Sequence, residues 1–419
     1  MEFPSTVNKA PVSKRVTRTR AWPLFVLTLL LIFAVDATRL VTGIHDQNKD
    51  FVQIIVTAQA ALAGVDPYLP LPDLTRRFQP EVSLDRLPHP SPYPPPSLLL
   101  GLPFAPLSYL QGIVAWLILG VLALIASLFI LYRELGKKQM VGLALLLFAI
   151  WHPVFLDLGY AQVMLPVLLV SVLCWRSLRQ GHDFAGGLFL GLLLAFKLFA
   201  WPVAVFLLLR RRWRAVLAAA GVVIAAHLVI ALWVGFAPVA YYYLHVGSEV
   251  ARLYRYDFAN FSPLTIGSRL FEGIGSDELR VLPLISAPAL AKPVSAIAML
   301  AIVLWGLLLA LRAKTFDKGF AAALCLSIVA SPIAWRHYLV ILALPVALIA
   351  AQTEWTRRRL VALAALVLLA LPMGHIYQLL SDVLRHFANG SGATPAIGAV
   401  LGLAPLVLVL SVLKFSTSR

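Results

Sequence analysis

The sequence predicts an all-α integral membrane protein, a bundle of about twelve transmembrane or re-entrant helices. Three observations predict it. Of the 419 residues, 60% are hydrophobic and only 13% are charged, against about 25% charged in soluble domains. Apolar Leu/Ala/Val blocks recur along the whole chain, and in lipid such blocks satisfy their backbone as helices rather than as barrel strands. The net charge of +16 is gathered in short clusters between apolar blocks. That pattern reports orientation in a bilayer and argues against a nucleic-acid-binding face.

The expected spans are 22–42, 110–132, 139–155, 163–177, 184–196, 199–209, 215–234, 291–311, 319–334, 338–352, 359–379 and 395–413. A basic arm, residues 1–21, precedes the first. No small-residue cleavage site follows that span, so it reads as a retained anchor. With the arm in the cytoplasm, the clusters at Arg133–Lys138, Arg176–Gln180, Arg210–Arg214, Arg312–Lys318 and Arg357–Arg359 fall on the same side. The C-terminus joins them, as the positive-inside rule requires. Spans 184–196 and 199–209 are each too short for a bilayer needing about 20 residues. Fusing them would leave Lys197 in mid-bilayer, at a cost of about 2.5–3.5 kcal/mol or more, and would reverse every preceding cluster. A re-entrant hairpin with Lys197 at its outer tip, in a protein-lined cavity, avoids both.

Two outer loops are long, 43–109 and 235–290. Long ordered loops tend to carry function, and the first is rich in Pro and aromatic residues, including Pro67-Tyr68 and Tyr93-Pro94-Pro95-Pro96. Asp50 opens an apolar run that Gly64 and Asp66-Pro67 stop, which reads as an interfacial helix. Asp50 would sit at its N-terminus, as a helix cap or as a carboxylate base at the membrane surface. Trp335-Arg336-His337 closes an apolar run at the outer side. It reads as an interfacial anchor or, with Lys197 at the same depth, as a cationic pocket for a phosphate.

Other polar residues have plainer readings. Asp36 and Arg39 are one turn apart and suit a structural pair. Asp157 and Gln162 flank a short outer turn, and Gln162 can serve as a helix-end residue or hydrogen-bond a sugar. Arg252, Arg255 and Asp257 read as solvated loop charges, His227 as an interhelical polar residue, and Cys174 and Cys325 as small core residues. No Walker loop, zinc-ligand pair or nucleophile elbow occurs in a fitting context, so neither a metal nor another cofactor is expected.

Five stretches, in order, resemble the polyprenol-phosphate-sugar-dependent transferases of glycosyltransferase family 87, within the membrane-embedded GT-C class. They are Asp50-Phe51 with Ala60–Tyr68 (AALAGVDPY), Tyr93–Pro96 (YPPP) followed by Trp116, Gly159–Val163 (GYAQV), Ala185–Lys197 (AGGLFLGLLLAFK) with Arg210–Arg214 (RRRWR), and Ser331–Tyr338 (SPIAWRHY). The family often has Gly where Ala161 stands, Asn where Met164 stands, and a second His where Tyr338 stands. The resemblance implies a GT-C-type bundle forming one domain over 1–419. It implies transfer, with inversion, of a hexose or pentose from a polyprenyl-phosphate donor to a hydroxyl of a glycolipid or glycan at the extracytoplasmic face of the cell membrane. Mannose is favoured, arabinofuranose the alternative sugar. It further implies Asp50 as general base and His337, Arg336 and Lys197 as phosphate ligands. Asp66, Tyr68, Tyr93, Gln162 and Trp335, inside the same stretches, are expected to touch substrate. Competing expectations are a lipid-linked-sugar flippase or transporter, an oligosaccharide ligase or polymerase, and a non-catalytic scaffold.

Overall fold

The computed structural model describes residues 50–84, 88–136, 139–276, 279–352 and 402–417, together with Ala34 and Thr38. The expected spans 22–42 and 359–379, the basic arm and the Asp36–Arg39 pair lie outside these residues. The described chain is mostly helical, with one antiparallel two-stranded sheet in which Ile274 faces Val281.

Helix α1 is Phe51–Leu62 and α2 is Leu71–Phe78. Helix α1, expected as an interfacial helix, is packed inside the protein: ten of its twelve residues are buried. It is apolar nearly all round, and such a helix belongs in an interior. Helix α3, Tyr109–Glu134, opens with a capping box in which the Ser108 side chain accepts from the Gln111 backbone N–H. Helix α4, Gln139–Ala149, and α5, His152–Gly159, together replace the single expected span 139–155. Pro153 sits in the first turn of α5, where its missing N–H is harmless. Helix α6, Met164–Arg179, follows α5 after a bend of 120°.

Helix α7, Asp183–Lys197, ends on Leu198 in the left-handed conformation, and α8, Trp201–Leu209, begins three residues later. Just beyond α8, Arg212 forms an ion pair with Asp183 and donates to the Leu178 carbonyl at 3.0 Å. The chain has therefore returned to the end from which α7 started. This is the hairpin expected from the sequence, with Lys197 near its tip. Helix α9, Trp213–Val234, then runs parallel to α7 in close contact. A Cβ on Gly187 would lie 2.3 Å from the Ala215 carbonyl oxygen, and one on Gly191 2.5 Å from Val222 Cβ. These glycines are what permits the close approach of the two helices.

Helix α10, Phe236–Tyr241, a π-turn at Tyr242–Val246 and α11, Gly247–Leu253, follow, then α12, Ile266–Phe271. Helix α13, Pro288–Arg312, packs beside α14, Phe316–Val329, whose residues from Gly319 onward are all buried. A 3₁₀ segment, Arg336–Leu342, leads into α15, Ala343–Gln352, where a plain span had been expected over 338–352. Helix α16, Ala404–Thr417, packs on α14.

Among the described residues, α3, α9 and α13 are long and apolar enough to cross a bilayer, and the bent pair α5–α6 makes a fourth if it counts as one span. Exposed Leu122, Ile125, Leu228, Leu232, Ile297 and Leu300 lie on these three helices, a surface suited to lipid rather than water.

The two ends of the bundle differ. At one end Arg176 pairs with Glu134 at 2.8 Å, Arg179 with Asp317 at 3.3 Å, and Arg210 donates to the Leu311 and Ala313 carbonyls at 3.1 Å. This gathers four of the basic clusters that the charge pattern assigned to one side. The opposite ends of α3 and α7 lead to Asp50 and Lys197: Tyr109, the first residue of α3, packs on Phe51, ring centroids 6.2 Å apart.

Candidate active site

Asp50 is anchored from below. Phe51 packs against Phe104 and Trp116, ring centroids 5.6 Å away in each case, and the Asp50 N–H donates to the Tyr160 carbonyl at 3.0 Å. Asp50 occupies the N-terminus of α1, yet its side chain makes no capping bond. The cap reading is thus corrected. The residue is itself in the right-handed helical region (φ −64°, ψ −15°), whereas a cap needs non-helical backbone. Instead Oδ1 accepts from Gln53 Nε2 at 3.0 Å and Oδ2 accepts from Gln162 Nε2.

Gln162 is fixed in turn. Its Oε1 accepts from the Tyr93 hydroxyl at 3.1 Å, and its backbone carbonyl accepts from Trp116 Nε1 at 3.1 Å. Gln162, held by Tyr93, therefore orients the Asp50 carboxylate, and both residues also line its cavity. Burial raises the Asp50 pKa to about 6, opposed by the Gln53 hydrogen bond and the Lys197 charge. A carboxyl poised there is ionised at neutral pH and remains a competent proton acceptor.

Lys197 stands over the Tyr338 ring, its Nζ 4.3 Å from the centroid, and 5.7 Å from that of Tyr93. Tyr338 thus supplies an aromatic face to the cation. Arg336 and His337 open the 3₁₀ segment. Arg336 Nε and His337 Nε2 are buried and have no hydrogen-bond partner among the described residues. A buried polar nitrogen without a partner is expensive, and both residues line one cavity, where the Arg336 guanidinium, and His337 with its proton on Nε2, can donate to an anion.

The segment carrying them is stitched down by loop residues that sequence reasoning passed over. Asn260 Oδ1 accepts from the Ala334 N–H at 2.9 Å, and Phe261 N–H donates to the Ala334 carbonyl at 3.0 Å. Ser262 Oγ donates to the Ser331 carbonyl at 2.7 Å. Arg269, fully buried, holds that loop by donating to the Phe258 and Asn260 carbonyls, each at 2.8 Å. Tyr254 packs edge-on to Trp335, centroids 5.3 Å apart, and shares a 2.7 Å hydrogen bond with His89 Nε2. Burial of these loop side chains is set by distant chain, so local sequence carried no sign of it.

Asp50, Tyr93, Gln162, Lys197, Trp335, Arg336 and His337 line a single cavity of about 620 Å³, with Tyr254 and Asp257. Asp66 and Tyr68 do not line it. They border a second cavity of about 870 Å³. Asp66 accepts from the Tyr68 N–H at 2.8 Å, and the Tyr68 hydroxyl donates to the Tyr93 carbonyl at 3.1 Å. The reason is length: α1 carries the chain about 18 Å away from Asp50. Arg252 and Arg255, read as solvated, border the second cavity too, and Arg255 pairs with Glu272 at 3.4 Å. Asp157 is buried and accepts from the backbone N–H groups of Met164 and Leu165, fixing the start of α6. His227 Nε2 hydrogen-bonds the Tyr243 hydroxyl at 2.6 Å. Cys174 and Cys325 are buried and free. No group of three or more His, Cys, Asp or Glu that could hold a metal ion occurs among the described residues.

Compared with known proteins, the chain matches the model of glycosyltransferase family 87 over residues 92–332, more than half its length. The match takes in Tyr93, Gln162 and Lys197, and leaves Asp50, Arg336 and His337 outside its limits. No curated protein and no solved structure matches the chain.

Proposed function

The chain belongs to glycosyltransferase family 87, and on that premise we propose that it moves one sugar from a polyprenyl phosphate to an acceptor hydroxyl in the Asp50 cavity. One observation carries the reading. A carboxylate held by two amides shares a cavity with two buried side-chain nitrogens that have no partner among the described residues, Arg336 Nε and His337 Nε2.

Each part has a chemical task. Asp50 takes the proton of the acceptor hydroxyl as that oxygen attacks the anomeric carbon. The bond from that carbon to the phosphate oxygen breaks, and the lipid phosphate leaves with the bonding pair. Arg336 and His337 donate to the phosphate oxygens as charge builds on them, and Lys197 adds a positive field. Attack opposite the leaving phosphate inverts the anomeric centre. Mannose is the favoured sugar, arabinofuranose the second, and the acceptor is a glycolipid or glycan.

The whole chain acts as one multi-pass unit in the cell membrane, with 43–109 and 235–290 as outer loops. The end bearing Arg176, Arg179 and Arg210 faces the cytoplasm by the positive-inside rule. The cavity, at the other end, then faces outward. Replacement Asp50→Asn tests the base. Transfer from polyprenyl-phosphate mannose or arabinofuranose to a membrane glycolipid extract should fall about 10²–10⁴-fold. Unchanged turnover at normal expression contradicts the assignment.

A further inference from the structure

The second cavity, about 870 Å³, is built where the two long loops meet, between residues 66–70, 88–90 and 241–256. Its size suits a ligand of several rings, since small-molecule sites span about 300–1,000 Å³. The first cavity must hold a donor sugar with its phosphate as well as the attacking hydroxyl, so the remainder of an extended acceptor has to lie elsewhere.

His89 and Val250 line both cavities. His89 is buried, and its bond to the Tyr254 hydroxyl, with their rings packed edge to face at 5.4 Å, forms a thin wall between them. Tyr254 lines the Asp50 side of that wall. Burial holds the His89 pKa below its usual value, so the wall is an uncharged, hydrogen-bonded pair at neutral pH.

The lining chemistry names the ligand class. Asp66 and Glu249 face the same space as Arg252, Lys292 and Arg255, the last matched by its ion pair with Glu272, with Tyr241 and Tyr256 beside them. Carboxylates and cations in one cavity oppose each other's pull on a charged ligand. Hydroxyl groups can donate to the carboxylates and accept from the cations, and tyrosine rings pack against the apolar face of a sugar ring while offering a polar edge. We propose that this cavity binds the non-reacting part of an uncharged oligosaccharide acceptor, with the His89–Tyr254 pair as the threshold over which its terminal hydroxyl reaches Asp50. The inference rests on the transferase reading above, and makes the acceptor a glycan of more than one sugar.

The test is binding, measured by titration calorimetry on the full chain in lipid nanodiscs, with mannotriose and arabinotriose as probes. Wild type should bind at least one of them. Combined Tyr256→Ala and Arg252→Ala, both at exposed positions, should weaken that binding about tenfold or more, while Asp50→Asn and the remote Arg211→Ala should bind within about twofold of wild type. Three results overturn the proposal: no trisaccharide binding by wild type, undiminished binding by the double variant, or inorganic phosphate displacing the saccharide. Trisaccharide binding without transfer from any polyprenyl-phosphate donor would instead overturn the transferase reading and leave the saccharide cavity standing.

Discussion

Two opposed effects set the reactivity of Asp50. Burial pushes its pKa up to about 6, while the Gln53 amide and Lys197 pull it down. If Asp50 is the base, its ionised form is the active one, so kcat/KM should rise with pH through about 6 and flatten above it. Gln53→Leu and Lys197→Met each remove something that favours the charged form, so each should move that rise to higher pH. A rise that stays put in both, or shifts downward, speaks against the assignment. A second residue-scale test concerns Ala161, which stands where the resemblance leads one to expect Gly. Its φ is 50°, in the left-handed region that costs a non-Gly L-residue about 1–2 kcal/mol. Ala161→Gly should therefore raise the thermal unfolding midpoint by an amount worth up to about 1 kcal/mol, after allowance for the looser unfolded chain, and keep activity. A lowered midpoint would show that the turn before Gln162 needs a side chain there. The sequence marked this position as a departure but could not show its backbone angle.

At the scale of elements, the α7–α9 contact positions Lys197. Gly187→Val would force its side chain against the Ala215 carbonyl. Overpacking of this kind costs about 1–3 kcal/mol, so the unfolding midpoint should drop and turnover should fall as Lys197 shifts. A variant with unaltered midpoint would mean the helices separate freely. Asn260→Ala should lower transfer chiefly through a raised donor KM, because it frees the segment bearing Arg336 and His337 from its bond at Ala334. An unchanged donor KM would leave Asn260 a purely local role. Helices such as 110–132, 215–234 and 291–311 were legible because a long apolar run in lipid has one satisfied backbone state. The break between Ala149 and His152, and the burial of α1, were not. Both depend on which elements surround the chain, and hydropathy alone does not report that. Asp50, Lys197, Arg336 and His337 were legible as charged residues at the ends of apolar runs. Asn260 and Arg269 were not, because a buried polar side chain looks locally like a solvated one.

For the whole molecule, the separation of its two ends carries the functional reading. Ion pairs and carbonyl contacts gather the basic clusters at one end, and the cavity opens at the other. Ser248→Cys, beside the cavity, should react with a membrane-impermeant maleimide on intact cells. Arg211→Cys should react only after permeabilisation, and Cys174 and Cys325 are buried and should give little background. The reverse pattern would put the cavity in the cytoplasm. The most direct test of the central claim is a cryo-EM structure with a non-transferable polyprenyl-phosphonate sugar bound. Phosphonate oxygens should lie within about 3.2 Å of Arg336 and His337 nitrogens, with the anomeric carbon turned toward Asp50. A phosphonate held elsewhere, or a sugar whose anomeric carbon no hydroxyl beside Asp50 could reach, would contradict it.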